Sequence, residues 1–191
     1  MRAWALGLLL VGSLWGASGA INDKKNRIFI GVMTGFRTAK LSSTPWDNAF
    51  SWGIEGGYQY DIRQYISLRT AINYLQTLKP TAFNTKVDSL LSWNMGVVSD
   101  FYKLSKKMLI GVYADIGFGY FQSAMTLSSP IQTRSFMGYN GVFDFGVGGT
   151  LEKQHRVELG VKFPFGEVKS IKKPSTSLRA FYWIASYAYL F

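Results

Sequence analysis

The stretch Phe50-Ser51-Trp52-Gly53-Ile54-Glu55-Gly56-Gly57-Tyr58-Gln59-Tyr60-Asp61 changes character at every second residue. Phe50, Trp52, Ile54, Gly56, Tyr58 and Tyr60 share one side, and Ser51, Gly53, Glu55, Gly57, Gln59 and Asp61 share the other. Side chains of an extended chain alternate between faces, so this period predicts a β-strand with an uncharged aromatic face and a polar face. A soluble sandwich would turn the aromatic face into its core and the polar face to water. A membrane barrel inverts the assignment: the aromatic face meets lipid and Glu55 meets the lumen.

The same alternation recurs outward from this stretch. Ile28, Ile30, Val32, Thr34 and Phe36 precede it, and Ile66, Leu68, Thr70, Ile72 and Tyr74 follow it. Further runs are Leu91 to Val97, Met108 to Tyr120, Tyr139 to Leu151, Val157 to Phe165 and Phe181 to Phe191. None of these apolar faces carries Asp, Glu, Lys or Arg. The segments are about the length that a tilted strand needs to cross a bilayer. Their connections alternate: 61–64, 102–107 and 152–155 are short, while 38–49, 79–88, 122–135 and 166–177 are long. Outer-membrane barrels have short periplasmic turns and long external loops, an asymmetry that a sandwich does not require. The expected fold is all-β, an eight-stranded antiparallel transmembrane β-barrel.

Met1–Ala20 reads as a secretory signal peptide, with Arg2 in its basic region, an apolar stretch to Trp15 and the small residues Ser18-Gly19-Ala20 at its end. Residues 21–191 form the expected barrel domain. The chain of 191 residues is 48% hydrophobic and only 17% charged, which suits a lipid-facing exterior. It has no cysteine and one histidine, so disulfides, thiolate zinc sites, thiol nucleophiles and histidine pairs are all excluded. No cofactor or metal is expected. Export also argues against nucleic acid as the partner of the net charge of +10.

On the polar faces, Glu55, Arg69, Asp115, Asp144, Glu158 and Lys162 lie near mid-strand. Buried charges need partners, so these residues are expected to form a lumen network, joined by Arg37 and Arg179. Paired carboxylates could also serve acid–base chemistry, but no nucleophile or second histidine accompanies them, and His155 falls in a periplasmic turn. The chain is therefore not expected to be an enzyme. Gly31, Gly35, Gly53, Gly57, Gly117, Gly119, Gly146 and Gly148 fall on lumen positions, where an eight-stranded barrel has little room. Tyr58, Tyr60, Tyr65, Tyr187, Tyr189 and Phe191 mark one aromatic girdle, and Trp52, Phe118, Tyr120 and Phe165 the other.

The ending Tyr182-Trp183-Ile184-Ala185-Ser186-Tyr187-Ala188-Tyr189-Leu190-Phe191 resembles the signal read by the barrel-assembly machinery, with Trp183, Tyr187, Tyr189 and Phe191 as its alternating rings. Together with Phe143-Asp144-Phe145-Gly146 and the run from His155 to Pro164, it is similar to the C-terminal part of the Helicobacter-type outer-membrane protein family, over roughly the last fifty residues. The resemblance implies a Gram-negative outer-membrane barrel whose relatives serve as adhesins or porins or have no assigned role. The large disulfide-bearing external domain of the adhesins is missing.

The expected role is structural or surface-interacting, with four external loops presented at the cell surface. A small outer-membrane pore is the alternative, and a lipid-modifying barrel enzyme comes third. Expected partners are outer-membrane lipid and lipopolysaccharide, and the barrel-assembly machinery during insertion. Cations outnumber acids in the long connections, where Lys40, Lys79, Lys86, Arg134, Lys169, Lys172 and Lys173 face Asp47, Asp88 and Glu167. Lys169, Lys172 and Lys173 form the local cluster expected to contact lipopolysaccharide.

Overall fold

The computed structural model describes residues 26–41, 46–63, 65–78, 84–128, 131–169 and 177–191. The leader read over Met1–Ala20, together with Lys172 and Lys173, lies outside them. All described elements are strands: β1 (Asn26–Leu41), β2 (Asp47–Arg63), β3 (Ile66–Thr77), β4 (Asn84–Lys103), β5 (Met108–Ser128), β6 (Ile131–Leu151), β7 (His155–Pro164), β8 (Val168–Lys169) and β9 (Ser177–Leu190). Each pairs antiparallel with its neighbour, and β9 returns to β1 from Phe29↔Leu190 to Leu41↔Leu178. The two-residue β8 pairs with β9 where β7 has stopped, so β7 and β8 are one interrupted strand. The barrel is closed and eight-stranded.

The registers fix its shape. Following directly opposed residues from Gln59 leads through Arg69, Gly96, Asp115, Asp144, Lys162, Tyr182 and Arg37 to Ala49. One circuit thus returns to β2 ten residues from its start, a shear of ten. With eight strands, a rise of about 3.3 Å and a spacing of about 4.8 Å, this shear tilts the strands by about 40°.

The exterior is the uncharged face of the alternation. Ile30, Val32, Ile54, Ile72, Met95, Ile116, Val147 and Leu159 all stand exposed, and Phe118 reaches 67%. A continuous exposed apolar wall of this kind is stable only in hydrocarbon. The interior carries the polar face together with two apolar plugs. Phe29, Ala71, Ala188 and Leu190 pack together towards the end that holds the short turns, on the same level as Arg156. Met33, Leu75, Leu90, Phe121, Phe136, Val142, Val168, Leu178, Tyr182 and Ile184 fill the opposite, far end.

Two expectations about extent are corrected. The stretch 122–135, read as a loop, is paired backbone as far as Ser128↔Ile131. β4 begins at Asn84 and not near Leu91. Beyond Tyr120↔Tyr139 β5 and β6 therefore stay paired for roughly another 26 Å at about 3.3 Å per residue, with β4 alongside β5 as far as Asn84↔Thr126. At the near end, the β6–β7 turn closes through Gln154 N–H donating to Leu151 O at 3.1 Å. Glu152 and Lys153 both take positive φ there (53° and 62°), the geometry of a primed β-turn, and the ladder resumes at Leu151↔His155.

Close packing at the seam rests on Gly35, where an added Cβ would lie 1.8 Å from the Trp183 carbonyl oxygen. At Gly56, on the lipid face, the nearest atom would be 3.6 Å away. Gly35→Val is expected to abolish the folded, heat-modifiable band in unboiled gel electrophoresis, while Gly56→Ala retains it.

Candidate functional site

The circumferential row that defines the shear is also the charged row of the lumen. Asp115 lies directly opposite Asp144, and Asp144 directly opposite Lys162. Gly96 stands between Arg69 and Asp115, and a Cβ there would come within 2.1 Å of Asp115 Oδ1. That missing side chain lets the guanidinium reach across β4. Arg69 Nη2 donates to Asp115 Oδ2 at 2.5 Å and Arg69 Nε donates to the same oxygen at 2.9 Å. The next strip inward holds the Tyr113 ring, 4.4 Å from the Arg69 guanidinium, a cation–π contact. Its hydroxyl donates to Asp144 Oδ1 at 3.2 Å and sits where a Cβ on Gly160 would fall, 2.0 Å away.

Glu158 ties this cluster to a second. Its Oε1 accepts from Arg69 Nη1 at 2.6 Å and from Arg156 Nε at 2.5 Å. Arg156 Nη1 continues to both Asp100 oxygens at 3.0 Å and to Thr150 Oγ1 at 2.7 Å. Lys162, fully buried, lies 3.1 Å from Asp144 Oδ2. With the Asn73 amide turned to satisfy its neighbours, its oxygen accepts from Lys162 Nζ and from Asn94 Nδ2, each at 2.6 Å. Nearer the far end, Arg37 is ion-paired with Asp88 among the apolar plug residues. β3, β4, β5, β6 and β7 are thus cross-linked through the lumen by charge-assisted bonds.

Of the six residues assigned to the network, Arg69, Asp115, Asp144, Glu158 and Lys162 are joined in this way. Glu55 faces the same space, packed over Gly31, and has no ion pair among the described residues. Arg179 does not enter the lumen: it lies on the outward face of β9, 69% exposed, and pairs with Glu167. Asp88, counted above as a loop charge, is buried. Arg156, Asp100, Thr150 and Tyr113 are network members that the sequence reading left out. All four share the inward parity of their strands, which is the signal that could have found them. Among the described residues no group of His, Asp and Glu converges to hold a metal ion.

The C-terminal rings lie on the outer face of β9. Trp183 and Phe191 are exposed, the Tyr187 hydroxyl lies 2.7 Å from His155 Nδ1, and Tyr189 packs edge-on against Phe191 at 5.0 Å. Phe191 N–H donates to Ile28 O at 2.8 Å, at the near end of the closing seam. Lys169 lies in β8, and its side chain is outside the described residues.

The fold matches solved structures of small outer-membrane barrels. The attachment invasion locus protein Ail of Yersinia pestis superposes with a TM-score of 0.58 at 12% identity, over 87% of this chain and 97% of that one. Neisserial surface protein A gives 0.54 at 12% identity over 86% and 97%. The N-terminal barrel domain of OprF from Pseudomonas aeruginosa gives 0.52 at 10% identity over 85% and 97%. No protein-family model matches the sequence, and no curated protein matches it. The likeness is one of fold, to small outer-membrane barrels as a kind. A closed strand ladder with a lipid-facing exterior is how chains cross the bacterial outer membrane. The protein is a multi-pass outer-membrane β-barrel.

Removing one member of a buried ion network leaves its partner charged and unpaired, at a cost of about 3–5 kcal/mol. Arg69→Ala, which strands Asp115 and leaves Glu158 with Arg156 alone, is expected to lower unfolding stability by that amount in urea titrations of vesicle-inserted protein. Arg179→Ala, whose pair is exposed, is expected to change it by less than about 1 kcal/mol.

Proposed function

We propose that the protein is an outer-membrane scaffold whose lumen is a plug and whose work is done outside it. The observation that supports this most directly is the filled interior. An apolar cluster fills the far half, with Arg37 buried within it, and below that cluster Arg69, Asp115, Glu158 and Lys162 are each buried, beside the smaller apolar cluster of Phe29, Ala71, Ala188 and Leu190. Eight strands leave a lumen just wide enough for side chains, and here those side chains are bonded to one another across it. A pore would need a water-filled gap along this axis. A lipid-modifying enzyme would need its base near the far rim, whereas the chain's single histidine sits at the short-turn end beside Tyr187.

On this reading the wall holds four outer connections at the cell surface, following β1, β3, β5 and β8. Among the described residues the β5–β6 hairpin extends furthest beyond the wall. Two of the similar structures are of an attachment invasion locus protein and a surface protein, which agrees with a surface-interaction role. The barrel-assembly machinery is the proposed partner during insertion, recognising the rings Trp183, Tyr187, Tyr189 and Phe191. Lipopolysaccharide is the proposed partner of the mature exterior, with Lys169, Lys172 and Lys173 as contributors.

In planar bilayers the purified protein is expected to give no single-channel steps above baseline; stable openings would replace the scaffold with the pore. Deleting Phe191 is expected to reduce the amount inserted in the outer membrane severalfold while the chain is still exported, as read by fractionation and heat-modifiability. Unchanged outer-membrane levels would remove the assembly role from that ring.

A further inference from the structure

The wall is interrupted at one described place. β7 pairs with β9 as far as Lys162↔Tyr182, and pairing resumes at Val168↔Leu178. Five residues, 163–167, therefore stand opposite three, 179–181, with no ladder pair between them. Pro164 has no N–H to offer, so the ladder could not run through unbroken. On its other edge the segment stays attached to β6: Phe165 N–H donates to Gly141 O at 2.9 Å, and Asn140 Nδ2 to Gly166 O at 2.9 Å.

The break opens an outward groove of about 520 Å³, lined by Trp46, Val161, Phe163, Phe165, Ala180 and Phe181 among others. This lies within the roughly 300–1,000 Å³ of small-molecule sites. Its floor, Ala180, belongs to the inward face of β9 and also borders a space of about 10 Å³ beside Phe136, Val168, Leu178 and Tyr182. That inner space is no larger than the roughly 10–15 Å³ needed for one water, so the groove ends blind. The recess enters the wall without reaching the lumen.

Its height follows from the strand. Phe181 is ten residues from Phe191, which at about 3.3 Å per residue and a tilt of about 40° places it roughly 25 Å above the near rim. An outer-membrane barrel's apolar band is about 25 Å tall, so the groove opens at the outer leaflet's polar boundary. Cations stand at its mouth. Lys40 is directly opposite Arg179 across the seam, and its Nζ lies 5.9 Å from the centre of the Trp46 ring. Trp46 packs edge-on against Phe181 at 5.5 Å. Arg179 is paired with Glu167, whereas Lys40 has no ion pair among the described residues.

We propose that this groove binds one acyl chain of a phosphorylated outer-leaflet glycolipid, with the phosphate held by Lys40 and, secondarily, Arg179. The aromatic walls supply apolar contact for the chain, and the blind floor makes the groove a seat and not a passage. The proposal rests on the lipid-embedded reading given above and moves the principal glycolipid contact from the Lys169, Lys172 and Lys173 cluster to this notch.

The test is native mass spectrometry of the folded protein in dodecyl maltoside, titrated with three probes. These are bisphosphorylated lipid A, the same lipid without phosphates, and a phosphatidylethanolamine. One lipid A per barrel is expected to be retained. Lys40→Gln should weaken retention about fivefold, the effect of about 1 kcal/mol for one cation near an anionic surface. Val161→Trp, which fills the groove, should weaken it at least about tenfold, and Ile54→Trp elsewhere on the wall should not. Should Val161→Trp fail to give the heat-modifiable band, Phe165→Ala combined with Lys40→Gln decides the same point. Equal retention of all three lipids, or unchanged retention in the groove variants, overturns the proposal. Conductance is read separately, so ion flow would sink the scaffold reading while retention still decides this one.

Discussion

Hydrocarbon offers a backbone amide no partner, and every other feature of this barrel follows from that. A sheet placed in lipid must close, because each free edge group would cost several kcal/mol. The closing seam is β1 against β9, from Phe29↔Leu190 to Leu41↔Leu178. Its register, added to the other seven, sets the shear at ten and hence the tilt and the bore. Gly35 lets the two strands approach where the Trp183 carbonyl would otherwise meet a side chain. The single interruption among the described residues, at 163–167, falls near the polar boundary, where water and headgroups can satisfy what the ladder leaves open.

A bore set by eight strands has consequences for its filling. Side chains from opposite walls touch, so a charge on one strand is in reach of charges on several others. Asp115, Asp144 and Lys162 lie on one hydrogen-bonded row, with Arg69 two strands away and Gly96 between. Two adjacent carboxylates would repel in isolation. Here the Asp115 carboxylate is bonded to Arg69, and Asp144 accepts from the Tyr113 hydroxyl and lies beside the Lys162 ammonium. Slippage of any strand by one residue would turn this row towards lipid. The network therefore rewards the same register that closes the seam.

Much of this was legible in the sequence because lipid imposes strict alternation. Every outward face read from Ile28 to Phe191 proved to be the exterior, and the inward parity carried the charges. The strand ends were less legible for a physical reason: beyond the hydrocarbon both faces meet water, so the alternation that marks a strand fades. Residues 122–128 and 84–90 are strand without announcing it, and Asp88 was consequently counted as a loop charge. Arg179 was assigned to the lumen against its own parity, since 179, 181 and 183 share the outward face of β9. Pairings across the bore, such as Arg37 with Asp88 and Arg156 with Asp100, depend on shear, which one strand's pattern does not contain.

The division of labour between the two faces also bears on what holds the barrel together. In a soluble domain, burial of the apolar face would stabilise the core; here that face remains in lipid, and its burial secures insertion more than internal order. Internal order must come from the backbone ladder and from what fills the bore. The apolar cluster at Phe136 covers the far side of the charged layer, and Arg69, Asp115, Glu158 and Lys162 are themselves buried. Burial strengthens each of their charge-assisted bonds and raises the cost of breaking any one of them. Glu158, accepting from Arg69 of β3 and Arg156 of its own strand, is where the two halves of that layer meet. A barrel braced in this way resists opening along its axis, which is what the proposed scaffold role requires of it.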